Sequence, residues 1–495
     1  MPAHPLSRRI AEVLDLQPDA PAVEFDRAWC SWAELGESAR RIADLALRYG
    51  YGETPQVGIL LRNRPVHVAA LLGVLLAGGT VVVVNPARGR ARTRADLAAL
   101  ELPLLVGTAA DLAATGPHPP RCTVVALDAL GGAPAVTAAA EPVAVGSAPG
   151  VAVRMLTSGT TGPPKRVPLT YRMLAHSVMG PGTLGERRPT AVRRGVAIVN
   201  APLVHIGGVF RVLQCIAEAR PFVLLEKFEL DTWADAVRRH RPRTVSLVPA
   251  ALRTVLHSGL TRADLAGIRA VTCGTAPLAA EDAEAFTERF GIPVLTSYAA
   301  TEFGGGVAGW TLADHRRYWP AKRGSVGRAT GGARLRVVDE AGRELGPDRP
   351  GLLEVRPGQF GPDAEWLRTT DLARIDADGF LWILGRADQA IIRGGFKVMP
   401  EEVRAALERH PAVRGAAVVG RPDRRLGEVP VALVEPHPGA GCDPDELVAF
   451  LRERLAPYEV PAAVAVVGSL PRTPSGKPDL TAVRTYFTET VTADG

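Results

Sequence analysis

The 495-residue sequence predicts an α/β protein with a large N-terminal α/β domain of packed sheets and a small C-terminal α+β domain. Three observations carry that expectation. The chain is too long for one compact core. Helical periodicity alternates with short β-branched runs through its first two thirds, as in largely parallel sheets. The pattern then changes twice, to short strands and turns after about residue 320, and to a mixed pattern after Gly385-Arg386-Ala387-Asp388. The boundary is therefore placed between residues 1–386 and 387–495.

From the N-terminus, MPAHPLSRRIAEVL reads as an amphipathic helix without the apolar stretch of a signal peptide. Strands are expected at Val57–Leu61, Thr80–Val84, Leu104–Val106, Ala197–Ala201, Phe222–Leu225, Thr244–Val248, Ala270–Thr272 and Val294–Tyr298. Helices are expected at 34–49, 66–77, 170–180, 231–240, 249–257 and 279–290. The longest apolar stretch, Val66–Val84, is interrupted by Gly73, Gly78 and Gly79 and reads as a helix turning into a buried strand, not a membrane span. Residues 108–150, rich in Ala, Pro and Gly, are expected to cross the surface. Arg334–Asp339, Gly351–Arg356, Leu372–Asp376 and Phe380–Leu384 read as antiparallel strands of a distorted β-barrel. In the small domain Pro400 opens a helix, Gly415–Gly420, Val429–Glu435 and Ala462–Val467 are strands, and Asp443-Pro-Asp-Glu446 reads as a capping box.

Composition narrows the function classes. Hydrophobic content of 46% and charged content of 22% are those of a globular protein. The net charge of +6 is small for this length, and the Arg88–Arg94 run reads as a solvated loop and helix start, so nucleic acid is not an expected partner. Cysteines 30, 122, 215, 273 and 442 are dispersed, without a CxxC pair, which argues for a reducing cytoplasm and against a zinc site.

The most informative segment is Thr157-Ser158-Gly159-Thr160-Thr161-Gly162-Pro163-Pro164-Lys165. Small and hydroxylated residues after a strand let backbone N–H groups converge on an anion, and the lysine adds a compact charge that follows a phosphate. It is not a Walker loop, because Pro-Pro-Lys stands where Gly-Lys-Ser/Thr would be required. Only five lysines stand among the 58 Lys+Arg residues, and two of them, Lys165 and Lys477, lie in motif-like loops.

Other clusters fit nucleotide chemistry. Ser297-Tyr298-Ala299-Ala300-Thr301-Glu302 ends a strand, where open α/β sheets bind ligands, and Glu302 there can hold Mg²⁺ against phosphate oxygens. Gly274, Thr275, Ala276 and Pro277 follow another strand and offer backbone groups to an adenine edge. Asp371, in Thr369-Thr370-Asp371, is suited to ribose hydroxyls, and Arg386 to phosphate or ribose; both also fit a structural ion pair. Asn200 either bonds a polar substrate group or ends a strand, and His205, beside Gly207-Gly208, is read as pocket lining or a gate.

In this order the residues resemble the adenylate-forming superfamily of acyl-CoA synthetases, firefly luciferase and peptide-synthetase adenylation domains, from Asp19-Ala-Pro-Ala-Val23 to the Lys477 loop. The resemblance implies ATP, Mg²⁺ and, in the acyl-CoA ligase branch, CoA. By position, Thr157–Lys165 would hold the β- and γ-phosphates and Glu302 the metal. Thr301 would stand near the α-phosphate, Tyr298 and Gly274–Pro277 would frame adenine, and Asp371 would bind ribose. Lys477 would contact carboxylate and α-phosphate, so that Lys477, Thr301, Glu302 and His205 are the candidate catalytic residues. Gly394-Gly395 would line the pantetheine tunnel, and Asn200, His205, Ala299, Gly304 and Gly305 the acid pocket. Departures are Ala299 and Thr370 where the family has glycine, an abbreviated 356–368 segment, and Pro478-Asp-Leu480 without the usual arginine.

The expected activity is an ATP-dependent acid–thiol ligase acting through acyl-AMP. Alternatives are an enzyme that passes the adenylate to a carrier protein or an amine, with a small acid such as nitrite as one possible substrate, and a non-catalytic nucleotide sensor.

Overall fold

The protein is described from a computed structural model covering residues 4–51, 54–140, 149–157, 165–180, 188–473 and 476–489. Five sheets organise it. The largest has seven strands in the order Ala135–Ala138, Thr123–Ala126, Leu104–Gly107, Gln56–Leu60, Thr80–Val84, Val151–Thr157 and Lys165–Thr170. Its middle is parallel, and an antiparallel strand closes each edge. Uninterrupted Val/Leu runs such as Thr80–Val84 are buried throughout, as a sheet covered on both faces requires.

Helix Trp32–Tyr49 starts at a capping box in which Ser31 and Glu34 satisfy each other's backbone N–H groups. It packs on Pro65–Leu76 so closely that a Cβ on Gly73 would lie 2.4 Å from the Ala39 carbonyl oxygen. A smaller sheet, Ala197–Val199, Phe222–Leu224, Pro21–Phe25 and Ala28–Ser31, adjoins this core.

The third sheet positions the site. Thr244–Leu247, Ala270–Cys273 and Val294–Ala300 run parallel, and Gly305–Gly309 returns antiparallel after the turn at Thr301–Phe303. Val245, Leu247, Val271 and Cys273 face an apolar cluster with Trp233, Phe286 and Phe290. Alternation therefore turns Ser246, Thr272, Leu295, Ser297 and Ala299 to the opposite face.

Four antiparallel strands follow: Arg334–Val338, Gly351–Arg356, Leu367–Ile375 and Leu381–Arg386. Their two end strands do not pair, so the expected distorted barrel is an open sheet. The last sheet comprises Phe396–Val398, Ile391–Arg393, Gly427–Pro436 and Val413–Asp423, with Ala463–Val466 added beside Gly427–Pro436. Helices Pro400–Leu407, Pro444–Arg452 and Leu480–Glu489 cover it. Sheet membership thus changes between Arg386 and Ile391, across a 3₁₀ turn at Ala387–Gln389 that contains Asp388.

Most expected elements occur within a residue or two of their expected bounds, with informative exceptions. The 108–150 stretch does not simply cross the surface: it includes helix Ala109–Thr115 and a fully buried strand, Thr123–Ala126. The Asp443 cap bonds Asp445 N–H, but Glu446 does not complete a capping box and instead lies 3.7 Å from His410. Among the described residues no helix is long and apolar enough to cross a membrane.

Candidate active site

The carboxyl ends of the three parallel strands open toward the small lobe. After Ala270–Cys273 the chain turns at Gly274, where a Cβ would sit 2.8 Å from Ser297 Oγ. Thr275 takes a left-handed φ of 73°, uncommon for a β-branched residue. This turn thus lies tight against the strand carrying Tyr298.

Tyr298 Oη donates a short hydrogen bond to Asp371 Oδ2. Burial raises the Tyr298 pKa, and the Asp371 charge pushes it further. Burial likewise raises that of Asp371, although the Tyr298 bond opposes it. The Thr369–Asp371 motif does not precede a strand but lies inside Leu367–Ile375, with Asp371 directly opposite Arg386 in the register.

Arg386 grips Asp388 with two bonds of 2.9 and 2.7 Å and donates a third, 2.8 Å long, to Thr370 Oγ1. Burial would lower the Arg386 pKa, but Asp388 outweighs it and the net shift is upward. The Thr370 departure has a physical consequence: its hydroxyl joins the arginine clamp at the Ala387–Gln389 turn. Of the two readings of Arg386, the ion pair is the one formed here.

Thr301 and Glu302 form the turn after Val294–Ala300, and the Glu302 side chain is exposed there without an ion-pair partner among the described residues. Gly304 has φ 69°, and a Cβ there would lie 2.6 Å from Met173 Cε, while the Ser177 hydroxyl bonds its carbonyl at 2.9 Å. Gly305 continues into the next strand at φ 152°, close to Ser177. Ala299 is exposed in an extended strand opposite Gly306, so its methyl narrows the space without backbone strain. The abbreviated 356–368 segment packs behind this turn: Gln359 is buried, and its amide reaches Gly306 O at 3.5 Å.

His205 caps helix Ile206–Ala217. Burial pushes its pKa to about 4, and Lys477 pushes it the same way. Its Nε2 is buried without a hydrogen-bond partner among the described residues, an orphan that a ligand oxygen would satisfy. Sequence reasoning missed Asn63, which holds this loop by donating to Ala201 O and Leu225 O and accepting from Leu203 N–H. Asn200 is buried just after the Ala197–Val199 strand.

From the small lobe comes Lys477. Its loop is closed by Thr473 N–H to Lys477 O at 2.7 Å and Gly476 N–H to Thr473 O at 2.8 Å. Arg472 braces it, bonding Gly476 O and Glu435. A Cβ on Gly476 would lie 3.7 Å from Val248 of the large lobe. Lys477 keeps an exposed surface at the cleft, yet the protein crowded around its ammonium lowers its pKa, Arg386 adds to that, and Glu302 and Asp371 oppose it. The structure therefore gathers Lys477, Arg386, Asp371, Glu302, Tyr298 and His205 into one charged neighbourhood.

Gly394 and Gly395, at φ 56° and 87°, form the turn of the Ile391–Val398 hairpin, whose bonds to Leu426, Tyr458 and Val460 stay within the small lobe. Thr157 pairs with Lys165 as the last register pair of two antiparallel strands, the one nearest the connecting residues. Ser158, Gly159, Thr160, Thr161 and Gly162 of that phosphate-loop motif lie outside the described residues. Among the described residues no cluster of three or more His, Cys, Asp or Glu side chains could cage a metal. A lone carboxylate such as Glu302 still suits Mg²⁺, which is commonly held by one or two carboxylates together with substrate phosphates.

The two lobes and the cleft that receives Lys477 fit a nucleotide-dependent enzyme, and comparison with known proteins gives the family. A model described as AMP-binding enzyme matches residues 10–360, and one described as AMP-binding enzyme C-terminal domain matches 402–477. The chain belongs to the AMP-binding enzyme family, within the acyl-CoA ligase branch of the adenylate-forming superfamily, and is an AMP-forming ligase of the acid–thiol class. It is 31% identical to a feruloyl-CoA synthase of Amycolatopsis sp, over 93% of this chain and 95% of that one. It is 30% identical to 4-coumarate–CoA ligase-like 5 of Oryza sativa subsp. japonica, over 83% and 76%. Among solved structures, ATP-bound MatB from Rhodopseudomonas palustris superposes with TM-score 0.80 at 25% identity, covering 98% and 99% of the two chains. The amide bond synthetase McbA from Marinactinospora thermotolerans does so with TM-score 0.78 at 28% identity, covering 98% and 100%.

Proposed function

We propose that this chain condenses a small-molecule acid with ATP to an acyl adenylate and pyrophosphate, then transfers the acyl group to the thiol of CoA. The observation that carries this reading is the delivery of Lys477 by the small lobe into a cleft lined by Asp371, Glu302 and Arg386. A carboxylate oxygen of the acid attacks the α-phosphorus, the bond to the bridging oxygen breaks, and pyrophosphate leaves. The Lys477 ammonium, positioned beforehand, stabilises the charge that gathers on the α-phosphoryl oxygens. Asp371 takes the ribose hydroxyls, with Tyr298 and Gly274–Pro277 against adenine. Thr157–Lys165 hold the outer phosphates and Thr301 the α-phosphate. Glu302 would hold Mg²⁺, which supplies charge neutralisation when bound. His205, neutral because of its burial, offers a ring nitrogen to the acid without competing as a second cation.

In the second half-reaction the thiol attacks the acyl carbon and AMP leaves. We infer a boundary between residues 386 and 387, and rotation about Asp388 that withdraws Lys477 and brings Gly394-Gly395 to the cleft. Opening the Arg386–Asp388–Thr370 clamp accompanies that rotation. Similarity to an amide bond synthetase supports one alternative, in which an amine takes the acyl group. The test is pyrophosphate release across small, aryl and fatty acids and nitrite, with CoA, a carrier protein and an amine offered separately. Acid-dependent pyrophosphate release with acyl-CoA formed only from CoA supports the proposal. Amide or carrier thioester alone supports the alternative acceptors, and no pyrophosphate with any acid refutes both.

A further inference from the structure

Arg211 lies in helix Ile206–Ala217, and nothing in the proposed adenylation chemistry uses it. The apolar stripe of that helix, with Val209, Val212, Leu213 and Ile216, faces the main core. Gly207 and Arg211, four residues apart, share another stripe, which faces the third sheet. There Arg211 donates to Thr272 Oγ1 at 2.9 Å and to Gln214 Oε1 at 3.0 Å, both neutral acceptors. The Thr272 hydroxyl itself donates to Val245 O at 3.3 Å, so its remaining capacity is as an acceptor. Two contacts leave most of the five guanidinium donors without an acceptor among the described residues. No carboxylate lies within ion-pairing distance of Arg211 among the described residues, and the nearby Glu218 is already paired with Arg220 at 3.0 Å. Arg211 is half-buried, and taking even part of a guanidinium out of water without a counter-ion is costly, so an arginine kept this way calls for an anionic or strongly accepting partner. Burial lowers the Arg211 pKa, in keeping with an uncompensated charge.

The surroundings say where that partner enters. A Cβ built on Gly207 would meet no atom of the described residues within 4 Å beyond its own helix and chain neighbours, and this open space lies one turn before Arg211. His205, at the start of the same helix, lies in the field of Lys477. The adjoining sheet face carries Ser246, Thr272, Ser297 and Ala299, which are small, while Leu295 beside Thr272 is buried in its own apolar cluster. Six residues at about 1.5 Å rise separate His205 from Arg211, or roughly 9 Å along the axis, and the arginine side chain leans back toward the helix start.

We propose that Arg211 is a specificity-determining residue that receives a second oxygen-bearing anionic group, a carboxylate above all, at the far end of the acid from its reacting carboxyl. The inference rests on the adenylation reading and names its substrate class: acids of medium length or one ring with a distal acceptor, longer than nitrite. Its test compares matched pairs, adipate against hexanoate and terephthalate against benzoate, by pyrophosphate release with wild type and Arg211→Met. Wild type should favour each diacid by about tenfold or more in kcat/KM, as expected for a site built around a polar group. Arg211→Met should raise KM for the diacid by a similar factor with little change in kcat, leave the monoacid unchanged or improved, and recover in part in Arg211→Lys. Equal loss on both members of a pair would mark Arg211 as merely structural and overturn the proposal. If the variants do not fold, wild-type discrimination decides alone, and equal kcat/KM within each pair overturns it. Absence of pyrophosphate with every acid would instead refute the adenylation reading beneath it.

Discussion

Replacing Arg253 by Met tests how the two lobes are held in the arrangement that puts Lys477 in the cleft. Arg253 belongs to the large-lobe helix Pro249–Leu256 and is only 9% exposed. Its Nε donates to Asp282 at 2.6 Å within its own lobe, and its Nη2 donates to Glu408 of the small lobe at 3.0 Å. Methionine keeps an apolar stem of similar length and removes both bonds. Glu408 retains Arg404 and the Ala416 N–H, so the small lobe keeps its internal network, and Asp282 is open enough to be rehydrated. The loss therefore concentrates on one charge-assisted bond across the lobes, about 1.5–3 kcal/mol, or roughly 10- to 150-fold in the docking equilibrium. Arg414 to Thr254, the His257–His437 ring contact and Gly476 against Val248 survive, so docking is weakened, not abolished. The assay is the ratio of two rates, pyrophosphate release and thioester formation from supplied acyl adenylate. Arg253→Met should lower the first by at least about tenfold relative to the second. Equal decline of both, or no change in either, would refute the inference that this contact holds the adenylating arrangement.

Three further outcomes are expected. Lys477→Ala should reduce adenylation by about 10²–10³-fold, the scale of losing one group that stabilises developing charge, while supplied acyl adenylate is still thiolated; a matched loss in both steps would contradict its assignment. Glu302→Gln should shift the Mg²⁺ dependence of pyrophosphate release to higher concentration, with the protein's melting temperature unchanged; an unchanged Mg²⁺ titration would remove Glu302 from the metal site. Burial, reinforced by His437 at His257 and by Arg414 at both, holds His257 and His437 below the ordinary histidine value, with Asp282 opposing. Undocking restores values near 6.5, so the separated lobes bind more protons. The docking contribution is then complete above about pH 6.5 and diminishes as pH falls through that value, which the same rate ratio, followed from pH 8 to 5, would reveal.

Much of this was legible in the sequence. Val/Leu runs such as Thr80–Val84 announced buried parallel strands, and the strand-end positions of Glu302 and Gly274 followed from the habit of open α/β sheets. The order of motifs placed Lys477 in the site although it lies more than a hundred residues beyond Glu302 in the chain. What escaped shares a physical cause. Helix Ile206–Ala217 opens with Ile-Gly-Gly, which reads as a loop until tertiary packing supplies its apolar partners. Strand Thr123–Ala126 hides in an Ala/Pro/Gly-rich stretch whose four buried residues are too few to display a period. The clamp joining Thr370, Arg386 and Asp388 depends on register between strands distant in sequence. Arg211 could not be singled out in a chain that uses arginine for nearly every cation, because only its burial beside Thr272, without a carboxylate, distinguishes it.

The most direct test of the central claim follows an oxygen atom. With an acid labelled by heavy oxygen in its carboxyl group, attack on the α-phosphorus and later acyl transfer should leave one labelled oxygen in the AMP released, with pyrophosphate as the other product. Unlabelled AMP, or ADP and a phosphorylated acid in its place, would contradict the account.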